Sequence, residues 1–232
     1  MYYWEKKTGL GSPAVYTLIA LNVVIWVVTS IYYITSPEGY IRFLYSFGVI
    51  PILITHGENL HTLITHMFLH DSTGILHILL NMYVLFLFGR DMEKTLGTKL
   101  FLVLYFSSGL AGALLHIYYF TYFFPQPTTP SELLSCFRLG YPPCTPSIGA
   151  SGAIFGVMAG FAILYPTRPL MVFLGLFLPI AAPAIVVILI LGVVQTLFML
   201  ATPFSSIAYT AHVGGFITGL LTTLLYKKTR RV

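Results

Sequence analysis

The chain has 232 residues, of which 57% are hydrophobic and only 8% are charged. About a quarter of the residues of a soluble domain are charged, so this composition excludes an ordinary soluble protein and indicates a membrane protein. The formal net charge of +5 does not predict nucleic-acid binding, because the basic residues lie at the ends of apolar segments, where they anchor helices against anionic lipid.

Six apolar segments approach the length of about 20 residues that a helix needs to cross a bilayer. We expect helices, because lipid offers the backbone no hydrogen-bond partners. In chain order, the predicted spans are about 14–34, 74–89, 100–121, 151–165, 182–200 and 206–226. The first is longer than the apolar core of a cleaved signal peptide, so it is expected to remain as an anchor. The sequence therefore predicts an all-α membrane protein in which residues 1–232 form a single six-helix domain.

The Lys and Arg residues predict the orientation of the spans, because positive residues are retained on the cytoplasmic side of short loops. With six spans, all of the 12 except Arg42 and Arg138 lie on one side. That side holds Lys6, Lys7, Arg90, Lys94, Lys99, Arg168, Lys227, Lys228, Arg230 and Arg231. We therefore expect a multi-pass protein of the cell membrane with both termini in the cytoplasm.

Two long segments, 35–73 and 122–150, lie on the external side in this topology. The aromatic residues of the first suit the headgroup boundary, so this segment is expected to lie in the membrane interface. The second contains both cysteines, Cys136 and Cys144. They form a disulfide if that face is oxidising, or they are two unpaired thiols, and the sequence leaves both alternatives open.

The fourth span is shorter than the bilayer core. Residues 151–165 rise about 22 Å as a helix, against a core of about 30 Å. Arg168 marks the cytoplasmic end of this span, so the deficit falls at the outer end. Ser151 is therefore predicted to lie below the outer surface at a helix N-terminus, where non-helical backbone is tolerated only beside protein or a water-filled cavity.

The neighbours of Ser151 make it a candidate nucleophile. A lone Ser in a membrane helix more often bonds a backbone carbonyl. Gly149 and Gly152, however, let the backbone approach a substrate closely, and the helix N-terminus offers N–H groups to a developing oxyanion. Small residues at a spacing of four also predict close packing of the fourth and sixth spans. These are Gly152, Gly156 and Gly160 on one span and Ala211, Gly215 and Gly219 on the other.

His212 on the sixth span is the candidate general base. It shares a helix face with Gly219, seven residues later, and is thereby directed toward a closely packed neighbour. All seven acidic residues fall in loops, tails or span ends. We therefore expect a Ser–His dyad in which packing and neighbouring donors, and no carboxylate, orient the imidazole.

His77 and Asn81 on the second span are candidate oxyanion donors. They are four residues apart and so lie on one helix face. An imidazole and an amide can both donate hydrogen bonds to an oxyanion. The alternative for this pair is a structural polar bridge between helices.

Three motifs together resemble the signature of the rhomboid family over nearly the whole chain. They are HMFLH at 66–70 with HILLNM at 77–82 and Gly89, Glu93 and Gly97; GASGAIFG at 149–156; and AHVGGFITG at 211–219. Their order matches the family on a six-span bundle. Two positions differ from relatives: Leu60-His61 stand where many have Trp-Arg, and Phe155 stands where some have Tyr, which still leaves an aromatic ring for His212 to stack on.

The resemblance implies an intramembrane serine endopeptidase of the lipid bilayer that cuts single-span membrane proteins in or near their transmembrane segments, without metal or cofactor. Ser151 attacks, His212 accepts its proton, and His77, Asn81 and the Ser151 amide hold the oxyanion. Supporting positions are Gly149, Gly152, Phe155 and Gly215. The substrate and the oligomeric state stay open.

Hydrolysis needs water, so the site is expected to be an aqueous cavity that opens to the extracytoplasmic side. The external loop 201–210 is the predicted lid, because Thr202-Pro203 and Ser205-Ser206 form a helix-breaking turn.

Three alternatives compete with the protease. A catalytically silent rhomboid-like protein would bind transmembrane helices without cutting them, although both dyad residues are present. A transporter would call for an acidic relay or broken-helix repeats in the midplane, and the sequence has neither. A metalloenzyme could use the His-xxx-His spacing of His66 and His70. The preferred interpretation is that both are structural histidines of segment 35–73.

Overall fold

The computed structural model describes residues 11–174, 178–202, 204–205 and 207–230. The expectations for Lys6, Lys7, Pro203, Ser206 and Arg231 lie outside the described residues. The described chain is mostly helical, as expected. Its elements in chain order are α1 (Pro13–Thr35), α2 (Pro37–Phe47), α3 (Pro51–Thr55), α4 (Thr62–Thr65), α5 (Leu76–Val84), α6 (Arg90–Leu96), α7 (Thr98–Tyr122), α8 (Pro130–Leu139), α9 (Ser151–Leu164), β1 (Pro169–Leu174), β2 (Leu178–Pro183), α10 (Ala184–Ala201) and α11 (Tyr209–Arg230).

Each of the six predicted spans contains a helix. The second is longer than expected, because a π-helical stretch at Leu85–Gly89 joins α5 to α6 without a break. By length and composition, α1, α7 and α10 can each cross a membrane, and α9 is a shorter apolar helix of 14 residues. The number of crossings and their orientation stay predictions.

A β-hairpin and the helix α8 are among the elements that were not predicted. β1 and β2 form an antiparallel hairpin between α9 and α10, with Pro169 opposite Pro183. Helix α8 forms inside the segment 122–150, where Pro130 occupies its first turn and Thr129 and Glu132 form a capping box. A proline at the first turn supplies a favourable φ and loses no helical hydrogen bond, so prolines begin helices here.

Helix α9 forms the centre of the molecule. Ten of its 14 residues are buried, and its main partners are α7 and α11. In contrast, only 28% of the most apolar stretch of α1 and 17% of that of α10 are buried. Their exposed apolar surfaces are the ones that suit lipid contact.

Small residues allow α9 and α11 to pack backbone against backbone. A Cβ atom added at Gly215 would collide with the carbonyl group of Gly152, and one added at Gly219 would collide with the backbone of Gly156. Any larger residue would separate the helices. This close crossing brings the N-terminal turn of α9 against that of α11.

Glu93, near the end of the second helical segment, is a buried carboxylate. Its side chain is 2% exposed. Its two oxygens accept hydrogen bonds from the backbone amides of Ala14 and Val15 at 3.0 and 2.9 Å, and it also accepts from Thr98. Glu93 therefore caps the N-terminus of α1, where a negative charge complements the helix dipole.

The two long segments meet beside the N-terminus of α9. Val49 of the first segment and Ser147 of the second form an isolated antiparallel bridge. Cys136 and Cys144, whose state the sequence left open, form a disulfide. The bridge and the disulfide together fix the stretch of chain that leads into Ser151.

Candidate active site

Ser151 and His212 are brought together by the crossing of α9 and α11. Ser151 is the first residue of α9, and His212 lies in the first turn of α11. Ser151 Oγ lies 2.7 Å from His212 Nε2, a hydrogen-bonding distance. The two residues thus have the geometry of a nucleophile and its base.

The second ring nitrogen of His212 has a partner that the sequence analysis missed. Nδ1 lies 2.7 Å from Oε1 of Gln195, which belongs to α10. The expected orienting neighbours were donors, and the residue found is an acceptor. The sequence feature that made His77 a candidate could also have identified Gln195, because Gln195 is a polar residue inside an apolar helix.

An aromatic ring fixes the plane of the His212 imidazole. The rings of Phe155 and His212 stack with centroids 4.4 Å apart and an interplanar angle of 14°. Tyr209 meets the same imidazole edge-on at 6.1 Å. Packing therefore limits rotation of the imidazole, as offset stacking does between aromatic side chains.

His77 presents a donor to the site. The backbone N–H of Asp71 donates to His77 Nδ1 at 3.2 Å, so the hydrogen of the neutral imidazole lies on Nε2. Nε2 is directed toward the entrance of α9: it lies 3.1 Å from the position that a Cβ atom on Gly149 would occupy. His77 can therefore donate from Nε2 to a substrate oxygen beside Ser151.

Asn81 keeps one free amide hydrogen. Its Nδ2 donates one hydrogen to the carbonyl of His77, one turn earlier, at 2.8 Å. The second hydrogen of the amide has no acceptor among the described residues and is available to a ligand. The side chain is 8% exposed and lines the same cavity as Ser151.

Glycine is required at the entrance of α9. Gly149 has a φ of +123°, a backbone conformation that other residues rarely adopt. Its amide donates to the carbonyl of His66 at 2.9 Å, which ties the first long segment to the approach to Ser151. The amides of the first turn of α9, beginning with Ser151, have no acceptor within the helix and are available to an anion.

A cavity of about 910 Å³ contains these groups. Its polar wall is formed by Ser151, His212, His77, Asn81 and His116. Its apolar wall comes from α5, α9 and α10, including Leu80, Val84, Ile154, Met158 and Leu191. Thr202, Phe204, Ser205, Ile207 and Ala208, from the loop predicted to be the lid, also line it. An apolar groove with a few convergent polar groups suits a hydrophobic peptide segment.

The remaining histidines have structural partners or buried positions. His66 Nδ1 bonds the carbonyl of Thr62 at 2.8 Å, and His116 Nδ1 bonds Thr210 Oγ1 at 2.7 Å. Burial lowers the pKa of His66 to about 4 and that of His70 to about 3, so both are neutral at physiological pH. In the part of the chain that the structure describes, no three His, Cys, Asp or Glu side chains gather in a group that could hold a metal.

A family model and two curated proteins are similar to this chain. A family model described as Rhomboid domain matches residues 57–229. The chain is 31% identical over 171 residues to "RHOMBOID-like protein 12, mitochondrial" of Arabidopsis thaliana, covering 74% of this chain and 48% of that protein. It is 32% identical over 145 residues to "Rhomboid protein 1, mitochondrial" of Saccharomyces cerevisiae, covering 62% of this chain and 36% of that protein.

The chain thus spans half or less of the length of these curated relatives. The family match, in contrast, covers most of this chain and includes all three motifs. The resemblance drawn from the sequence is confirmed, and the chain belongs to the rhomboid family.

Proposed function

We propose that the protein is an intramembrane serine endopeptidase that hydrolyses peptide bonds in or near the transmembrane segments of single-span membrane proteins. The observation that carries the proposal is the 2.7 Å contact between Ser151 Oγ and His212 Nε2. A protein that only binds helices has no need for this contact at the end of an apolar cavity.

The chemistry follows from the positions of the polar groups. Ser151 Oγ attacks the scissile carbonyl carbon while His212 Nε2 takes the hydroxyl proton. The carbonyl oxygen becomes an oxyanion, which accepts hydrogen bonds from the Ser151 amide, His77 Nε2–H and the free Asn81 hydrogen. His212 then gives its proton to the leaving amine, and an acyl enzyme remains on Ser151. Water, activated by His212, hydrolyses that ester and restores the hydroxyl group.

The proposed topology has six spans with both termini in the cytoplasm, as one membrane domain over residues 1–232. Its support is the ion pair between Arg168 and Asp91, 2.6 Å apart, which brings the ends of the second and fourth helical segments to one side. The disulfide between Cys136 and Cys144 belongs to the opposite, oxidising side. We propose that the cavity opens there, on the extracytoplasmic side of a cell membrane, with loop 201–210 as its lid.

The test uses purified protein in detergent with a panel of single-span model substrates. Ser151→Ala and His212→Ala are each expected to abolish cleavage while the protein stays folded, because nucleophile and base act as one unit. Ser135→Ala is the matched control, since Ser135 is exposed and its hydroxyl bonds only its own helix. Wild-type protein that binds the substrates without cutting them would favour the catalytically silent alternative.

A further inference from the structure

His212 has a hydrogen-bond partner on each of its two ring nitrogens. Ser151 Oγ lies 2.7 Å from Nε2, and the amide oxygen of Gln195 lies 2.7 Å from Nδ1. We propose that Gln195 is a positioning residue, which holds the imidazole hydrogen on Nδ1 and so keeps Nε2 free to take the Ser151 proton. This inference rests on the proposed function and assigns a third residue to the same site.

The chemistry of the amide oxygen sets the tautomer. Oε1 of Gln195 can only accept a hydrogen bond, so Nδ1 must carry a hydrogen. A neutral imidazole has a single N–H group, which leaves a lone pair on Nε2. The Ser151 hydroxyl can then donate into that lone pair. In the opposite tautomer an N–H group would face Ser151, and His212 could not act as its base.

No other described group can set this tautomer. Stacking against Phe155 fixes the plane of the imidazole, but it does not decide which nitrogen carries the hydrogen. The hydrogen bonds that acidic side chains form among the described residues come from backbone amides, hydroxyl groups and Arg168, and none reaches His212. Gln195 therefore occupies the position that an Asp occupies in a Ser–His–Asp triad.

The position of Gln195 on α10 explains why a hydrogen bond is needed there. The buried residues of α10 are Ala184, Ile188 and Gly192, and all of them precede Gln195. The C-terminal half of this helix is only partly buried, so the hydrogen bond between Gln195 and His212 adds to the stacking of Phe198 on Tyr209 in holding this half against α11. An uncharged amide also costs less than a carboxylate in apolar surroundings.

Three variants test the role of Gln195. Gln195→Leu removes the acceptor at similar volume, and Gln195→Glu restores an acceptor. Thr196→Val is the matched control, because the Thr196 hydroxyl bonds the Gly192 carbonyl of its own helix. We expect Gln195→Leu to lower kcat by about 10–10² with KM unchanged, since it removes a hydrogen bond and loosens the base. Gln195→Glu should recover most of kcat, and Thr196→Val should match wild type.

Two further readouts separate positioning from a structural effect. The rate at which a fluorophosphonate probe labels Ser151 should follow kcat through the series. In ¹⁵N NMR of the His212 ring, wild type should show a protonated Nδ1 and an unprotonated Nε2, and Gln195→Leu should show a mixture of tautomers.

Each result bears on the inference. If Gln195→Leu keeps the wild-type kcat and the wild-type tautomer, the inference is wrong. Equal losses of kcat in Gln195→Leu and Gln195→Glu also overturn it, because they indicate a structural role. In both cases the proposed function stands as long as wild type cleaves and Ser151→Ala does not. A wild-type protein that neither cleaves nor reacts with the probe contradicts the proposed function, and this inference fails with it.

Discussion

Replacing Gly215 by Ala is expected to damage the site through the crossing of α9 and α11. The added Cβ atom would overlap the carbonyl group of Gly152, which is backbone and cannot rotate away. Carbon atoms attract best at about 3.5–4.0 Å, so the two helices must separate by about 1 Å or more. Gly152 adjoins Ser151 and Gly215 lies one turn after His212, so the separation acts directly on their 2.7 Å contact.

The magnitude follows from that displacement. A misplacement of about 1 Å at a reacting pair costs about 10²-fold in rate, and overpacking of this kind typically destabilises by about 1–3 kcal/mol. We therefore expect Gly215→Ala to cleave a single-span substrate about 100-fold more slowly while part of the protein remains folded. Gly74→Ala is the control, because a Cβ atom there meets nothing within 4 Å.

The assay combines initial cleavage rates in detergent with the thermal unfolding midpoint of each variant. Rates are compared at a temperature where both variants are folded, so that a loss of stability does not count as a loss of chemistry. If Gly215→Ala cleaves at the wild-type rate, the close crossing does not position the dyad, and the reasoning is wrong. A slow Gly74→Ala would show that the assay responds to any added methyl group.

Four further outcomes are expected. Asn81→Ala should slow cleavage by about 10²–10³, the effect of losing one oxyanion donor, and an unchanged rate would make it a structural residue. Phe155→Leu should lower the cleavage rate by about 2–10-fold through lost stacking, whereas Phe155→Tyr should retain it. A membrane-impermeant thiol reagent applied to intact cells should modify Cys136 and Cys144 only after reduction; modification from the cytoplasmic side alone would overturn the topology. Hydrogen bonds from the preceding threonines, led by a backbone amide, lower the pKa of Glu132. The cap of α8 should therefore be complete at neutral pH and weaken as pH falls through that pKa, seen as a loss of amide protection relative to the intrinsic exchange rate at each pH, which Glu132→Gln does not show.

The sequence predicted the helical segments because apolar length is a direct requirement of a bilayer. The predicted segment 100–121 lies within α7, Thr98–Tyr122. The hairpin of β1 and β2 could not be predicted in this way, because Pro169–Leu174 is also apolar and hydropathy does not separate strand from helix. The disulfide likewise depends on the fold of segment 122–150, which brings two Cα atoms to 5.8 Å.

Some residues of the candidate site could likewise be predicted from the sequence, and one could not. Ser151 and His212 could be predicted because each lies in a glycine-rich motif that limits how its helix can pack. Gln195 could not be assigned a partner, because the other residues of α10 are almost all apolar and no polar face orients the helix. Whether Gln195 faces lipid or His212 depends on how α10 packs against α11, and that follows from tertiary structure.

The polar groups of the cavity satisfy one another in a way that suits apolar surroundings. His212 bonds both Ser151 and Gln195, and Asn81 bonds the His77 carbonyl. Unpaired polar groups in such an environment are costly, so these contacts hold each side chain in place before a substrate arrives. Among the described residues, His77 Nε2–H and the second Asn81 amide hydrogen have no acceptor, so both are available to a developing negative charge. Preorganised donors of this kind need no rearrangement during the reaction, and that is the condition for strong stabilisation of an oxyanion.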